Sequence, residues 1–160
     1  MGCRRIEARL GAASVGVATA VGLALVVSLW PMEALADNDA ISVEVARALE
    51  YSGRRKPSAF AWFMLGSRHN AEKKALGRMV TRKSTSAFGR SDQHACGIAF
   101  QSAIIQLQER ARRLGGNTVV DIVSIADGET TESKDSFRCS VGKLVATVHL
   151  EARAVVLEAS

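Results

Sequence analysis

The feature that most constrains the fold is a long amphipathic helix, which the sequence predicts from Ser91 to Leu114. Apolar side chains recur there at three- and four-residue steps, which places them in one stripe. Ser91 is a favourable N-cap, and Gly115-Gly116-Asn117 tolerates the left-handed conformation at which helices end. A helix with one apolar stripe must bury it against another layer. The stripe consists of Cys96, Phe100, Ala103, Ile104, Leu107, Ala111 and Leu114.

Strands are predicted after the helix. The β-branched run 118–125 follows the helix stop directly. A polar stretch over 127–136 then predicts a loop or the tip of a long hairpin. Residues 137–157 indicate one or two further strands, interrupted near Gly142 and Glu151.

Two shorter strands are predicted before the helix, at 59–65 and 78–85, and residues 37–57 are expected to form an irregular lead-in. The element order is therefore β-β-α-β-β. A four- to five-stranded sheet supplies the surface on which the helix buries its stripe. We expect one α+β domain over residues 58–160, with the long helix packed on this sheet.

The N-terminal region has the three parts of a secretory signal. Three arginines precede the uncharged run 11–30, and Ala34 and Ala36 place small side chains where a signal peptidase cuts. We expect residues 1–36 to be a signal peptide cleaved after Ala36, which makes the mature protein periplasmic or secreted. An uncleaved leader that anchors the same domain in a membrane is the alternative, because twenty uncharged residues can span a bilayer. The pair Arg4-Arg5 is a weak signal for twin-arginine export, so general secretion is the expected route and twin-arginine export the alternative.

Two cysteines, Cys96 and Cys139, remain after the leader is removed. In an oxidising compartment this even, minimal count predicts one disulfide. Two unpaired buried thiols are the alternative. The bond would tie the beginning of the helix to a strand after the polar loop, and loop-closure entropy predicts a stabilisation of about 4 kcal/mol.

Positive charge is concentrated at residues 54–90, which contain ten Lys and Arg residues and only one acid, Glu72. This asymmetry predicts an anionic partner, such as lipid head groups, lipopolysaccharide or cell-wall polymers. Phe60, Trp62 and Phe63 interleave with the charges and could stack on single-stranded nucleic acid, although an envelope target fits an exported protein better. Alternatively, the aromatic residues are core and the charges solvate one face. The candidate contact residues are Lys73, Lys74, Arg78, Arg82 and Lys83.

The sequence carries no recognisable catalytic motif. Its only Gly-Lys pair, Gly142-Lys143, has Phe137 where a phosphate-binding loop needs glycine and Leu144 where it needs a hydroxyl. No Gly-x-Ser-x-Gly elbow occurs. A disulfide would also remove the thiolate that Cys–His catalysis requires. We therefore expect no nucleotide, no cofactor and no enzymatic activity.

Histidines offer a second hypothesis, a metal-binding envelope protein. His94 lies two positions before Cys96, and His69 is a further candidate ligand. A structural zinc site needs four such ligands at close spacing. The sequence does not supply that set, so metal binding is the alternative and not the leading prediction.

Between about residues 78 and 157 the chain has a set of short distinctive segments, which are Ser86-Ala87-Phe88-Gly89, Ser91-Asp92, Ala95-Cys96, Leu107-Gln108-Glu109, the stretch 114–122 and Phe137-Arg138-Cys139. Together these segments resemble a family of small exported proteobacterial proteins that commonly carry the label "excinuclease ATPase subunit". The label implies DNA repair, which the missing phosphate-binding loop and the export signal contradict.

More distantly, the helix, its Gly-Gly-Asn stop and the following strand resemble the YbjQ-type domain and the disulfide-bonded domain of the Rcs stress-sensor lipoprotein. These resemblances imply a ring-forming α+β fold in one case and envelope-stress sensing through protein contacts in the other. The chain lacks the sensor's lipidation cysteine and second disulfide. We expect a non-enzymatic binding module whose partner is an anionic envelope component or another envelope protein. Self-association is possible, and membrane contact is expected only through an uncleaved leader.

Overall fold

The computed structural model describes residues 39–51, 53 and 55–158, so the predicted leader, with Ala34 and Ala36, lies outside the described residues. The described chain is α+β, with one seven-stranded sheet and one long helix. The elements are β1 (Asp39–Glu44), α1 (Val45–Glu50), β2 (Ala61–Met64), β3 (Glu72–Ser86), α2 (Asp92–Arg113), β4 (Thr118–Ala126), β5 (Glu129–Thr131), β6 (Ser136–Val141) and β7 (Val145–Leu157).

The long helix α2 forms as its end signals predict. The Ser91 side chain accepts a hydrogen bond from the His94 backbone N–H at 3.3 Å, which caps the first turn. At the other end, Gly115 adopts φ +81°, and the Gly116 N–H donates to the Ala111 carbonyl at 2.8 Å. One member of the predicted stripe was placed wrongly: Leu114 is 49% exposed, because the helix has ended before it can reach the core.

Strand β7 lies inside the sheet and pairs with other strands along both of its edges. Along one edge it pairs with β3 over its whole length, and along the other it pairs first with β6 and then with β4. β1 extends the sheet beyond β6, and β2 adds to β4 in the only parallel pairing among the described strands. β3 is therefore a long edge strand, and α2 packs against the sheet beside it.

The number of strands predicted from the sequence, four to five, was too small. The expected irregular lead-in contains β1, which pairs with β6, and α1, which packs against α2. β5 forms a hairpin with β4 through Asp127 and Gly128, both with positive φ, as a two-residue hairpin turn requires. β3 is longer than predicted, and β7 runs through Glu151 without a break.

The main core lies between the sheet and α2. Side chains at alternate positions of β7 face the helix, and Val148 and Leu150 are fully buried there. The opposite face has one small apolar cluster, in which Phe63 packs on Val120, Val155 and Leu157. Within the described residues, no helix combines the length and hydropathy that a bilayer span requires.

Candidate functional site

The two cysteines come together in the main core. The sulfur atoms of Cys96, in the first turns of α2, and Cys139, on β6, lie 2.01 Å apart, which is a disulfide distance. Both residues are fully buried. The pair links helix to sheet in the way the sequence predicts, and the part of the chain that the structure describes contains no other cysteine.

The predicted basic contact residues do not form one surface. Side chains alternate along a strand, so cross-strand partners share a face. Arg78 pairs with Arg153 and Arg82 with His149 in the register of β3 and β7, which puts both arginines on the face away from α2. Lys83 pairs with the buried Val148 and therefore lies on the helix side. Lys73 and Lys74 are exposed at the beginning of β3, next to a register shift.

A groove of about 470 Å³ lies between α2 and β3 on the helix side. Lys83, Arg55 and Arg90 supply its positive charge, and Ile98 and Ile105 of the helix supply apolar wall. Its one acid, Glu109, accepts a hydrogen bond from Arg55 at 3.4 Å. Among the described residues, no acid pairs with Lys83 or Arg90. The groove therefore combines concavity with two cations that form no ion pair with a described acid.

Arginine side chains also cover part of the exposed edge of β3. The Arg90 guanidinium donates to the Ser86 carbonyl at 3.0 Å, and Arg110 of α2 donates to the Val80 carbonyl. Backbone groups on an edge strand otherwise offer a template for pairing with another chain. These two contacts protect the edge, and the Ser86 contact also holds Arg90 at the end of the groove.

The aromatic residues of the basic segment are structural. Trp62 packs edge-to-face on the core residue Phe100 at a centroid distance of 5.9 Å. Phe60 packs against the same core, and the Arg112 guanidinium lies 4.6 Å from the centre of its ring. Phe63 belongs to the small cluster on the opposite face. These contacts favour the interpretation in which the aromatic residues are core, and they do not form a stacking platform for bases.

The two candidate metal ligands lie in different places. His94, in the first turn of α2, stacks on Tyr51 at 4.8 Å. His69 precedes β3 and lies in a cleft with Leu157 at the end of β7. In the described ranges, no three His, Cys, Asp or Glu side chains are grouped as a metal site would require. The structure does not bring His94 and His69 together.

On the face away from α2, cations and acids are interleaved. Arg153 of β7 binds the Glu72 carboxylate with two hydrogen bonds, of 2.7 and 3.1 Å, and donates through Nε to Asp121 at 2.8 Å. Asp121 reaches it from a bulge in β4, where it adopts φ +52°. The hydrogen bond from Arg153 lowers the pKa of Glu72, and its two acids raise the pKa of Arg153. Arg78 likewise pairs with Glu151.

Sequence reasoning included Arg55 and Arg90 in the basic segment but did not single them out. Nothing in their spacing distinguishes them from the other cations. Arg90 reaches the groove because the turn after β3 reverses the chain at Gly89, where φ is +71°. A glycine two positions before the N-cap is a local signal for that reversal.

Comparisons of this chain with protein-family models, with curated proteins and with solved structures find no match. The resemblances based on short sequence segments therefore stay predictions, and the assignment of function depends on the geometry described above.

Proposed function

We propose that this chain is an exported, non-enzymatic binding module that holds an anionic envelope component in the groove between α2 and β3. The observation that carries the proposal is the placement of Lys83 and Arg90 in this concave site, where no described acid neutralises them. A phosphate or carboxylate group entering the groove would make charge-assisted hydrogen bonds with both side chains.

The opposite face of the sheet is the weaker candidate, although it also carries arginines. There, Arg78 pairs with Glu151 and Arg153 pairs with Glu72 and Asp121. At Arg78 and Arg153 an incoming anion would have to compete with carboxylates already in place, although Arg82 on this face has no acid partner in the described residues. The cleft that includes Arg78, together with Arg110 and Arg113, is smaller than the groove, at about 400 Å³, and its Arg78 is already paired with Glu151.

Export is the second part of the proposal, and it is supported by the N-terminal signal features and by the buried cysteine pair. β1 begins at Asp39, so cleavage after Ala36 would leave every described element intact. The resemblance to small exported proteobacterial proteins agrees with this compartment.

The groove can be tested by titrating the isotope-labelled protein, recovered after export, with inorganic pyrophosphate at low salt and following backbone amide shifts by NMR. Lys83→Gln combined with Arg90→Gln should weaken binding by about tenfold or more, because two charged donors are lost. The matched control is Arg78→Gln combined with Arg82→Gln, which removes the same charge from the other face of the same strand. It should change affinity by about twofold at most, through long-range electrostatics alone.

The pattern of shifts and affinities decides between the two faces. Shifts confined to the groove and lost in the Lys83/Arg90 variant support the proposal. Loss of binding in the Arg78/Arg82 variant, with the Lys83/Arg90 variant unaffected, would move the site to the opposite face. Absence of saturable binding by the wild-type protein would refute an anion-binding function for this groove.

A further inference from the structure

Three large apolar side chains are exposed together at one end of the sheet. Phe88 is 78% exposed, Leu144 is 65% exposed and Val145 is 46% exposed. We call these three residues the apolar tip. A phenylalanine this exposed contributes little to the core, and turns ordinarily use polar residues or glycine at such positions. Three such side chains grouped at adjacent turns form a candidate contact surface, because contiguous exposed apolar patches mark interaction sites.

The tip is formed by two adjacent turns. The turn after β3 carries Phe88, and the turn between β6 and β7 carries Leu144. The Ala87 N–H donates to the Leu144 carbonyl at 2.9 Å, and Ser86 pairs with Val145 in the sheet register, so the two turns lie side by side. Each turn is closed by its own backbone hydrogen bond, from Arg90 to Ala87 and from Gly142 to Val145. The tip is thus made of two adjacent hydrogen-bonded turns that expose apolar side chains to solvent.

Cations flank the tip closely. Lys143 directly precedes the leucine, and Arg90 follows the phenylalanine by two positions. Two acids lie at the same end, Asp39 opposite Val141 and Asp92 in the first turn of α2. They reduce the local positive charge, so apolar insertion must contribute more to binding than electrostatic attraction does. Apolar side chains bordered by Lys or Arg are the combination that binds the interface of an anionic membrane.

We propose that the apolar tip inserts into the interface of an anionic lipid bilayer while Arg90 and Lys143 bind lipid head groups. This inference rests on the proposed function, because Arg90 also lines the groove, and it names anionic lipid as the envelope component. Exposed apolar side chains with Lys143 and Arg90 beside them match an anionic lipid interface, which offers negative head groups above apolar chains. The contact is separate from the membrane anchoring that an uncleaved leader would provide.

The test is co-sedimentation of the protein, recovered after export, with vesicles of phosphatidylcholine alone or mixed in about equal parts with phosphatidylglycerol. Phe88→Ser combined with Leu144→Ser should weaken binding to the mixed vesicles by about tenfold or more, since two inserting side chains are lost. Leu114→Ser is the matched control, because Leu114 is also exposed but lies at the other end of α2. All variants have the same N-terminus, so any vesicle binding through a retained leader is equal among them. Differences in vesicle binding therefore come from the apolar tip.

Equal vesicle binding by the wild type and the Phe88/Leu144 variant would overturn the proposal, as would an equal loss in the Leu114 variant. Sedimentation velocity without lipid gives a second readout: if the double variant abolishes self-association of the wild type, the tip is an interface between copies of this chain and the lipid proposal fails. Pyrophosphate titration separates the two proposals. A wild-type protein that binds pyrophosphate in the groove but no vesicles refutes the lipid inference alone.

Discussion

The two faces of the sheet are stabilised by different interactions. The face under α2 is apolar, carries both described helices and contains the cysteine pair. The opposite face has one small apolar cluster, and its other contacts are mainly ion pairs between partly exposed side chains. Burial of apolar side chains contributes about 1.5–3 kcal/mol each, whereas exposed ion pairs contribute at most about 1 kcal/mol.

This difference predicts which substitutions the fold tolerates. Changes on the helix side should affect global stability, because every element packed there shares one core. Changes at the charged positions of the opposite face should alter charge and pH response with little loss of structure, whereas its small apolar cluster is buried and should respond like the core. The groove and the apolar tip lie at the border of the first face, where exposed side chains such as Arg90 can be altered without opening the core.

The largest stability effect is expected at the cysteine pair. Replacing both Cys96 and Cys139 by alanine should lower the free energy of unfolding by about 4 kcal/mol, because the bond closes a loop of 43 residues in the unfolded chain. The measurement is urea unfolding followed by circular dichroism, with the reduced wild-type protein as control. Equal urea midpoints for the oxidised, reduced and double-alanine proteins would show that a bond between the two cysteines does not stabilise the fold.

Helix α2 could be predicted because its signals are local. The apolar period, the Ser91 cap and the Gly115 stop all lie within the segment itself. β1 and α1 were missed because their stability comes from distant partners: β1 pairs with β6, nearly one hundred residues away in the chain. Two buried glutamines on α2 also escaped prediction. Gln101 donates to the carbonyls of Ala48 and Tyr51, and Gln108 donates to Phe60.

The candidate site was predictable in part. The charge of segment 54–90 identified the basic region. Alternation along the predicted strand 78–85 could have separated Lys83 from Arg78 and Arg82, but all three were predicted to lie on one surface. The convergence of Arg55 and Arg90 on Lys83 was not predictable, because it depends on how two connections pack beside α2. Side-chain periodicity predicts which face of a helix or strand a residue occupies, but it does not predict the path of the connections between them.

A smaller loss of stability is expected where α1 meets α2. A Cβ atom at Gly97 would lie 2.4 Å from the Tyr51 ring and 3.2 Å from the Ala48 backbone. Gly97→Ala should therefore lower the free energy of unfolding by about 1–2 kcal/mol through overpacking, despite the better helix propensity of alanine. Thermal unfolding measures the change.

The matched background for this test is Tyr51→Ala, which removes the ring that the new methyl group would meet. Gly97→Ala should cost less stability in that background, although the Ala48 contact remains. Identical costs in the two backgrounds would show that the close approach of α1 and α2 does not depend on the glycine.

The smallest effect is expected on the opposite face, at the ion pair between Glu72 and Arg153. The hydrogen bond from Arg153 lowers the pKa of Glu72 below its ordinary value of 4.5. A carboxyl group whose pKa is lower in the folded state stabilises the fold above the pKa of the unfolded chain, and this contribution is lost as the pH falls through the folded-state pKa. Glu72→Gln should therefore cost less than about 1 kcal/mol at neutral pH.

The pH dependence separates this ion pair from a general effect of charge. As the pH falls from about 5 to about 3, the wild-type protein should lose more stability than Glu72→Gln does, since only the wild type has this carboxylate to protonate. Glu132→Gln is the control, because Glu132 is an exposed acid with no ion pair in the described part of the chain. Urea midpoints measured across that range should fall in parallel for the wild type and Glu132→Gln. Parallel curves for all three proteins would mean that the ion pair between Glu72 and Arg153 contributes no measurable pH response.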